Sequence, residues 1–561
     1  MPRTLRSNLE RGTSMWAGRR AQWRALGLSD EDMERPKIAV VNSSSELAIC
    51  FSHLDGVAAE AKKAIRAAGG MPFEIRTAAP SDFVTSVGRR GAYILPSRDL
   101  ITNDIEVQVE GAQLDGMLCL ASCDKTVPGQ IMAAARLNIP TIIVACGYQQ
   151  SGEYRGEHID IEEVFLKAGH VASGRLTIEE LTAMADAAIC SPGVCAGMGT
   201  ANSMHIVTEA LGMALPGSTP VLANSPKMVE AVRRAGERIV EMVEADLKPR
   251  EIITPGAIAN AVMAVLAVSG SINCVKHLQA IAVEAELDLD VYGLFGEYAS
   301  KVPLLAAIRP SGDGLIEEFE AAGGALALLK RLEPMLHKEA RTVTGQTIGE
   351  ILRDVVVKDE SVIHALERPL SRRPSIVIVR GSLLPGGGIV RLGGVQTRTL
   401  RFRGPARIYH SREETIEALN RGEIKAGDVV VVRGIGVRGG PGMAFTSAVV
   451  FALDGAGLID DVAVITEGQV SGLVNRGLVV AEASPEAAAG GPLAFVEEGD
   501  SILIDVERRI VDLEVTEEEM ARRRRRQPRA FGSTGERGWL GVYQRTVRPV
   551  HEGAVLGGPA D

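Results

Sequence analysis

Three consecutive segments constrain this chain more than any other feature. Leu114–Ala121 (LDGMLCLA) reads as a buried strand, Pro128–Leu137 as a helix with proline in its first turn, and Thr141–Ala145 (TIIVA) as a second strand. Strand, helix and strand in that order make a βαβ unit, which requires a parallel sheet and a right-handed crossover. The same alternation surrounds it. Lys37–Asn42 is a short apolar run, and Val57 to Ala68 reads as a helix stopped by Gly69-Gly70. Further helices are expected at Ala196–Leu215, ended by Pro216-Gly217, and at Ser225–Ala245, Ala257–Val268 and Ile316–Ala322. Residues 1–370 are therefore expected to form an α/β domain.

After Arg372 the texture changes. Short β-rich runs at Ser375–Val379, Asp428–Val432, Asp461–Ile465, Leu478–Ala481 and Ser501–Ile504 are separated by Gly386-Gly387-Gly388, Gly393-Gly394 and Gly439-Gly440. This pattern predicts a second, β-rich domain over 375–561 with a helical tail, joined through Glu367–Pro374.

Composition narrows the function classes. Aromatic residues make up only 4% and the net charge is -10, which argues against a nucleic-acid partner. The basic run Arg522 to Arg526 closes an acidic stretch, Glu517 to Met520, and reads as a solvated helix end. Met1 to Arg20 is polar and basic without an apolar core, and no run reaches the ~18 apolar residues of a membrane span. The expectation is a cytoplasmic protein with no membrane partner. The seven cysteines are an odd, sparse set and do not suggest a disulfide framework.

Three of them are placed for chemistry. Cys50, Cys123 and Cys195 each stand between a strand or loop and the start of a predicted helix. A helix N-terminus offers free N–H groups and partial positive charge, which favour thiolate, the metal-binding form. Three thiolates meeting there would hold a cluster and leave one iron short of a protein ligand. Plain burial is the competing reading, and it is preferred for Cys119, Cys146, Cys190 and Cys274, which lie in apolar runs or helices. Around Cys123, the run Ser122-Cys123-Asp124-Lys125-Thr126-Val127-Pro128-Gly129 sets a thiol, a carboxylate and an amine side by side. Asp124 suits Mg²⁺ as a hard oxygen ligand. Lys125 suits a general base or, carbamylated, a further oxygen ligand, and Asp82 offers another carboxylate.

At these residues the sequence resembles the dihydroxy-acid dehydratase and sugar-acid dehydratase family, which includes 6-phosphogluconate dehydratase. The strongest stretches are Ser122–Pro140 (SCDKTVPGQIMAAARLNIP) and Cys195–Gly217 (CAGMGTANSMHIVTEALGMALPG). Leu95–Arg98, Gly270–Leu278, Val302–Gly312, Gly404–Ile408, Gly439–Met443 and Ser484–Pro492 follow in family order. The resemblance implies an α/β N-terminal domain and a β-barrel-like C-terminal domain with the site between them. It implies a [2Fe–2S] cluster on Cys50, Cys123 and Cys195, and Mg²⁺ on Asp82, Asp124 and carbamylated Lys125. Ser471 would supply the base, as an alkoxide. The implied reaction is loss of water from a 2,3-dihydroxy carboxylic acid, by a homodimer or homotetramer acting on a small hydroxy acid.

The departures cluster on the substrate side. GGPGM is followed in the family by a glutamate that completes the Mg²⁺ site, and here by Ala444 and Phe445. The acidic motif before it reads Gly434-Ile435-Gly436-Val437, Gln469 stands where an arginine is usual, and Leu473-Val474-Asn475 lacks the family threonine. Ala48-Ile49-Cys50-Phe51 is more apolar than the family pattern. Three explanations follow. One is a working dehydratase whose Mg²⁺ site is weakened or moved to Glu467 or Glu482. Another is an enzyme for a less polar substrate. The third is a degenerate paralogue that binds a cluster and a ligand but turns over little, and a rival reading of a different class is a non-catalytic iron–sulfur sensor or partner subunit. Within the enzyme readings, Met198–Ala201 leans toward sugar acids and Met15–Gly27 toward branched-chain dihydroxy acids.

Overall fold

The computed structural model describes residues 5–557 apart from 172, 394–399, 473, 527–530 and 533–534. Gly394 and Leu473, noted above, lie outside the described residues. Strands β1 (Lys37–Asn42), β2 (Met71–Arg76), β3 (Gly116–Ala121) and β4 (Thr141–Ala145) form a parallel sheet in the order β2-β1-β3-β4. Every residue of β1, β3 and β4 is buried, the signature of a sheet covered on both faces. The helix Leu54–Ala67 packs on β1 and β2, and the long helix Pro226–Ala245 on β3 and β4. A small antiparallel hairpin follows, β5 (Gly152–Tyr154) with β6 (Glu157–Ile159).

The second sheet has eight strands: β7 (Ile376–Val379), β8 (Gly387–Arg391), β9 (Arg401–Tyr409), β10 (Val429–Val432), β11 (Ala463–Thr466), β12 (Leu478–Ser484), β13 (Ser501–Asp505) and β14 (Ile510–Leu513). Their order is β14-β13-β9-β10-β11-β12-β8-β7. The two edges meet where Arg380 N–H donates to the Arg509 carbonyl at 3.0 Å and Val511 N–H to the Arg380 carbonyl at 2.9 Å. The sheet thus curls into a nearly closed barrel, as expected, which removes exposed edges. Its centre is parallel, from β9 through β12, with the helices Arg412–Asn420 and Ser447–Gly455 as crossovers. Those helices were not foreseen, because short crossovers between glycine-rich turns carry little periodicity.

Several expected boundaries shift. The helix expected over Ala196–Leu215 spans Thr200–Ala210: Gly197 and Gly199 keep the preceding turn out of helix, and Gly212 at φ +80° ends it. Leu95–Arg98 lies in the first turns of a 19-residue helix, Ile94–Ala112, which was not expected. Pro96 is tolerated there because first-turn N–H groups have no intrahelical partner. The basic run ends the helix Glu517–Arg525, but Arg523 is buried and bonded to Asp500 and Glu519, so it is not wholly a solvated end. Cys190, expected to be buried, is exposed. No described helix is long and apolar enough to cross a membrane.

Candidate active site

Most of the candidate residues share one origin, the C-terminal end of a parallel strand, where open α/β sheets place ligand sites, while Cys195 and Thr200 reach the same place from the loop before helix Thr200–Ala210. Cys50 follows β1, Asp82 follows β2, and Cys123, Asp124 and Lys125 follow β3. From the second sheet, Arg412 follows β9, Phe445 and Ser447 follow β10, and Ser471 follows β11. The two sets of strand ends face one another across a cavity of about 360 Å³. Asp82, Cys123, Asp124, Cys195, Thr200, Phe445, Ser447 and Ser471 line it, together with Arg412.

The three cysteines precede helices that begin at Leu54, Thr126 and Thr200. Their loops are tied together. Ser122 Oγ donates to the Cys50 carbonyl at 2.6 Å, and Asn202 Nδ2 to the carbonyls of Cys195 and Gly197 at 2.8 and 2.9 Å. The Cys50 and Cys123 thiols hydrogen-bond each other, and Cys195 lies on the cavity wall with Cys123. The expected easy ionisation does not hold among protein groups alone. The bond from Cys50, then burial, push the Cys123 thiol well up, and burial with Asp124 does the same at Cys195. Desolvation and like charge here outweigh the helix ends; a bound metal cation is the partner that reverses this balance. Among the described residues no three His, Cys, Asp or Glu side chains stand close enough to grip a single ion. Thiols arrayed beside a cavity, with soft sulfur donors, fit a cluster rather than a lone cation.

The second group is Asp82, Asp124 and Lys125. Lys125 is wholly buried, 3.0 Å from Asp82 and 3.9 Å from Asp124. Burial disfavours its ammonium, but the two carboxylates prevail and hold its pKa above the ordinary value. Burial, with Asp82 adding, pushes Asp124 up to about 7, and Asp124 also bonds to Thr200. These residues do not fit a divalent cation as they stand. The amine lies against Asp82 at 3.0 Å, and Phe445 offers no oxygen. Nor do the suggested substitutes reach the cavity. Glu467 accepts from the N–H groups of Gly434 and Ala487 at 2.6 and 2.5 Å, and burial beside Glu486 pushes it to about 8. Glu482 is buried against Lys276 at 2.5 Å.

Ser471 lies on a loop held by the strand-end segment before helix Ser447–Gly455. Its N–H donates to Ser447 Oγ at 2.8 Å, and Phe445 pairs with Gln469 through the backbone. Gln469 itself is buried, so the side chain that replaces the usual arginine does not line the cavity. Sequence reading missed Arg412 and the apolar wall of Phe83, Val87 and Phe165. Phe165 is packed edge-on to both Phe83 and Phe451. Arg412 was legible only as the residue after a serine N-cap, Ser411, beyond a strand.

Residues 35–351 match the family model described as dihydroxy-acid/6-phosphogluconate dehydratase N-terminal, and residues 361–554 match its C-terminal counterpart. The chain is 40% identical over 555 residues to a dihydroxy-acid dehydratase of Caldicellulosiruptor saccharolyticus, which covers 98% of this chain and 100% of that relative. A dihydroxy-acid dehydratase of Methanococcoides burtonii is 40% identical over 557 residues, with the same coverage of 98% and 100%.

Proposed function

The chain belongs to the dihydroxy-acid/6-phosphogluconate dehydratase family, and on that premise we propose that it is an iron–sulfur hydro-lyase converting a 2,3-dihydroxy carboxylic acid to a 2-keto acid and water. One observation carries the reading: thiols, paired carboxylates and a serine from two separate sheets converge on a single cavity. Residues 1–370 contribute the thiols and carboxylates, and 375–561 the serine.

Cys50, Cys123 and Cys195 would hold the [2Fe–2S] cluster. When bound, such a cluster supplies an iron acting as Lewis acid toward the departing C3 hydroxyl. The chain's own groups do the rest. Ser471, as its alkoxide, takes the C2 proton, and the bond from its backbone N–H to Ser447 Oγ anchors the loop that carries it. The C2–H electron pair forms the C2=C3 bond as the C3–O bond breaks, the departing hydroxide takes the proton back from Ser471 and leaves as water, and the enol then tautomerises to the keto acid. The buried Lys125 ammonium supplies positive charge behind Asp82 and Asp124, and Arg412 attracts the substrate carboxylate. No step needs Mg²⁺. The wall of Phe83, Val87, Phe165 and Phe445 cannot hydrogen-bond a polyhydroxylated chain, which favours a dihydroxy acid with an alkyl tail over a sugar acid.

Anaerobic purification tests the proposal. Brown protein carrying about two irons per chain, with 2-keto acid formed from an alkyl dihydroxy acid, is expected. Colour without turnover across alkyl and sugar acids would instead favour the sensor reading, which Phe445 motivates. Iron-free protein after reconstitution would overturn both.

A further inference from the structure

Behind the cavity lies a charge pair that the reaction does not use. Lys276, in the helix Asn273–Glu284, and Glu482, in β12, are both fully buried, with Nζ and Oε1 2.5 Å apart. The pair bridges the two halves of the chain. Glu482 sits at φ +55°, a left-handed conformation that a non-glycine residue seldom adopts, where the β12–β8 register slips between Ala481 and Ser484. Its Oε2 finds no partner among the described residues. So costly an arrangement needs a compensating role.

Lys276 also donates to Asn273 Oδ1. An ammonium has donors only, so it dictates which way the Asn273 amide faces. Oδ1 must point at Lys276, and Nδ2 must point away. That Nδ2 donates to Thr200 Oγ1 at 2.9 Å and to the Val470 carbonyl at 3.4 Å. Thr200 lines the cavity and bonds to Asp124 and to Ser271, the latter at 2.8 Å. Val470 precedes Ser471. The contact is tight: a Cβ on Gly472 would lie 2.4 Å from Ser271 Oγ and 2.9 Å from Thr200 N. One amide therefore joins the carboxylate wall to the serine loop.

We infer that Lys276 and Glu482 are positioning residues, which lock the Asn273 amide so that Thr200 and the Ser471 loop keep a fixed separation. The inference rests on the reading of Ser471 as the base. Its test is the Lys276→Met/Glu482→Leu double variant of the cluster-loaded enzyme, which leaves no lone buried charge. The expected result is a kcat about ten- to a hundredfold lower, with KM and iron content unchanged. Amide hydrogen exchange should rise at 200 and 470–472. Wild-type kcat together with wild-type exchange at those amides would overturn it. If the double variant does not fold, Asn273→Ala, which removes only the amide, decides by the same readouts. If the wild-type enzyme turns over no dihydroxy acid, the dehydratase reading fails, and exchange alone decides the positioning role.

Discussion

Lys125 Nζ lies 3.0 Å from Asp82 and is wholly buried, so an ammonium from the loop after β3 neutralises a carboxylate from the loop after β2. Removing the amine would leave Asp82 and Asp124 facing each other without a counter-charge. We expect Lys125→Met to lose about 3–5 kcal/mol of stability, read as a lower urea midpoint at pH 8. The loss should shrink at pH 5, because Asp124 already sits near 7 and takes a proton there. An equal loss at both pH values would show that the carboxylates do not repel.

Cys123 and Cys195 share one cavity wall, and Cys50 bonds to Cys123. Cys123→Ser and Cys195→Ser should each abolish the visible absorbance and cut iron to below about half of the wild-type content, with dehydration lost as well. By contrast, Cys274→Ser alters a cysteine buried in a helix, away from the cavity lining, and should keep the colour. Iron assays on all three variants check this; retained colour in Cys123→Ser would remove that thiol from the ligand set.

Much of this was legible in the sequence, and what was not has physical causes. β1 and β4 emerge as expected, because fully buried strands are written as continuous apolar runs. The helix Ile94–Ala112 was hidden: Pro96 disguises its first turn, and Arg98 and Asp99 are buried within it, which blurs the apolar stripe. The positions of the three thiols and of Asp124 and Lys125 were readable from short local patterns, whereas Ser471 entered only through the family resemblance. The apolar wall and Arg412 were not, since Phe83, Phe165 and Phe445 are distant in sequence and meet only through tertiary packing. Nothing local in Glu482 could disclose its pairing, because Lys276 lies 206 residues away.

Glu209 gives a pH signature of its own. It accepts from the N–H groups of Gly217 and Thr219 and from Thr219 Oγ1, yet burial pushes its carboxyl up to about 7, from an ordinary 4.5. A raised folded value means that the stabilising proton is fully present below pH 4.5 and is lost as pH rises through 7. Glu209→Gln stays neutral throughout. The wild type should therefore lose about 3 kcal/mol relative to this variant between pH 4.5 and 7.5. Urea unfolding of both proteins across that range checks the slope, and a flat difference would mean that Glu209 stays ionised.

Phe445 decides the cation question. It is 8% exposed, lines the cavity with Asp82 and Asp124, and stands two residues after Met443, where the sequence resemblance calls for a glutamate. A phenyl ring adds apolar wall and removes the last oxygen needed for a hard, oxygen-loving cation. Turnover by the wild-type enzyme should change less than about twofold as Mg²⁺ is titrated into cluster-loaded protein. Phe445→Glu returns a carboxylate facing the other two and should create a saturable Mg²⁺ dependence. It should also weaken binding of alkyl substrates, raising KM by roughly tenfold, the scale set by losing apolar contact in a pocket. Steady-state kinetics with and without Mg²⁺ on both proteins measure each effect. A wild-type enzyme that saturates with Mg²⁺ would mean that Lys125 is not the free amine held against Asp82.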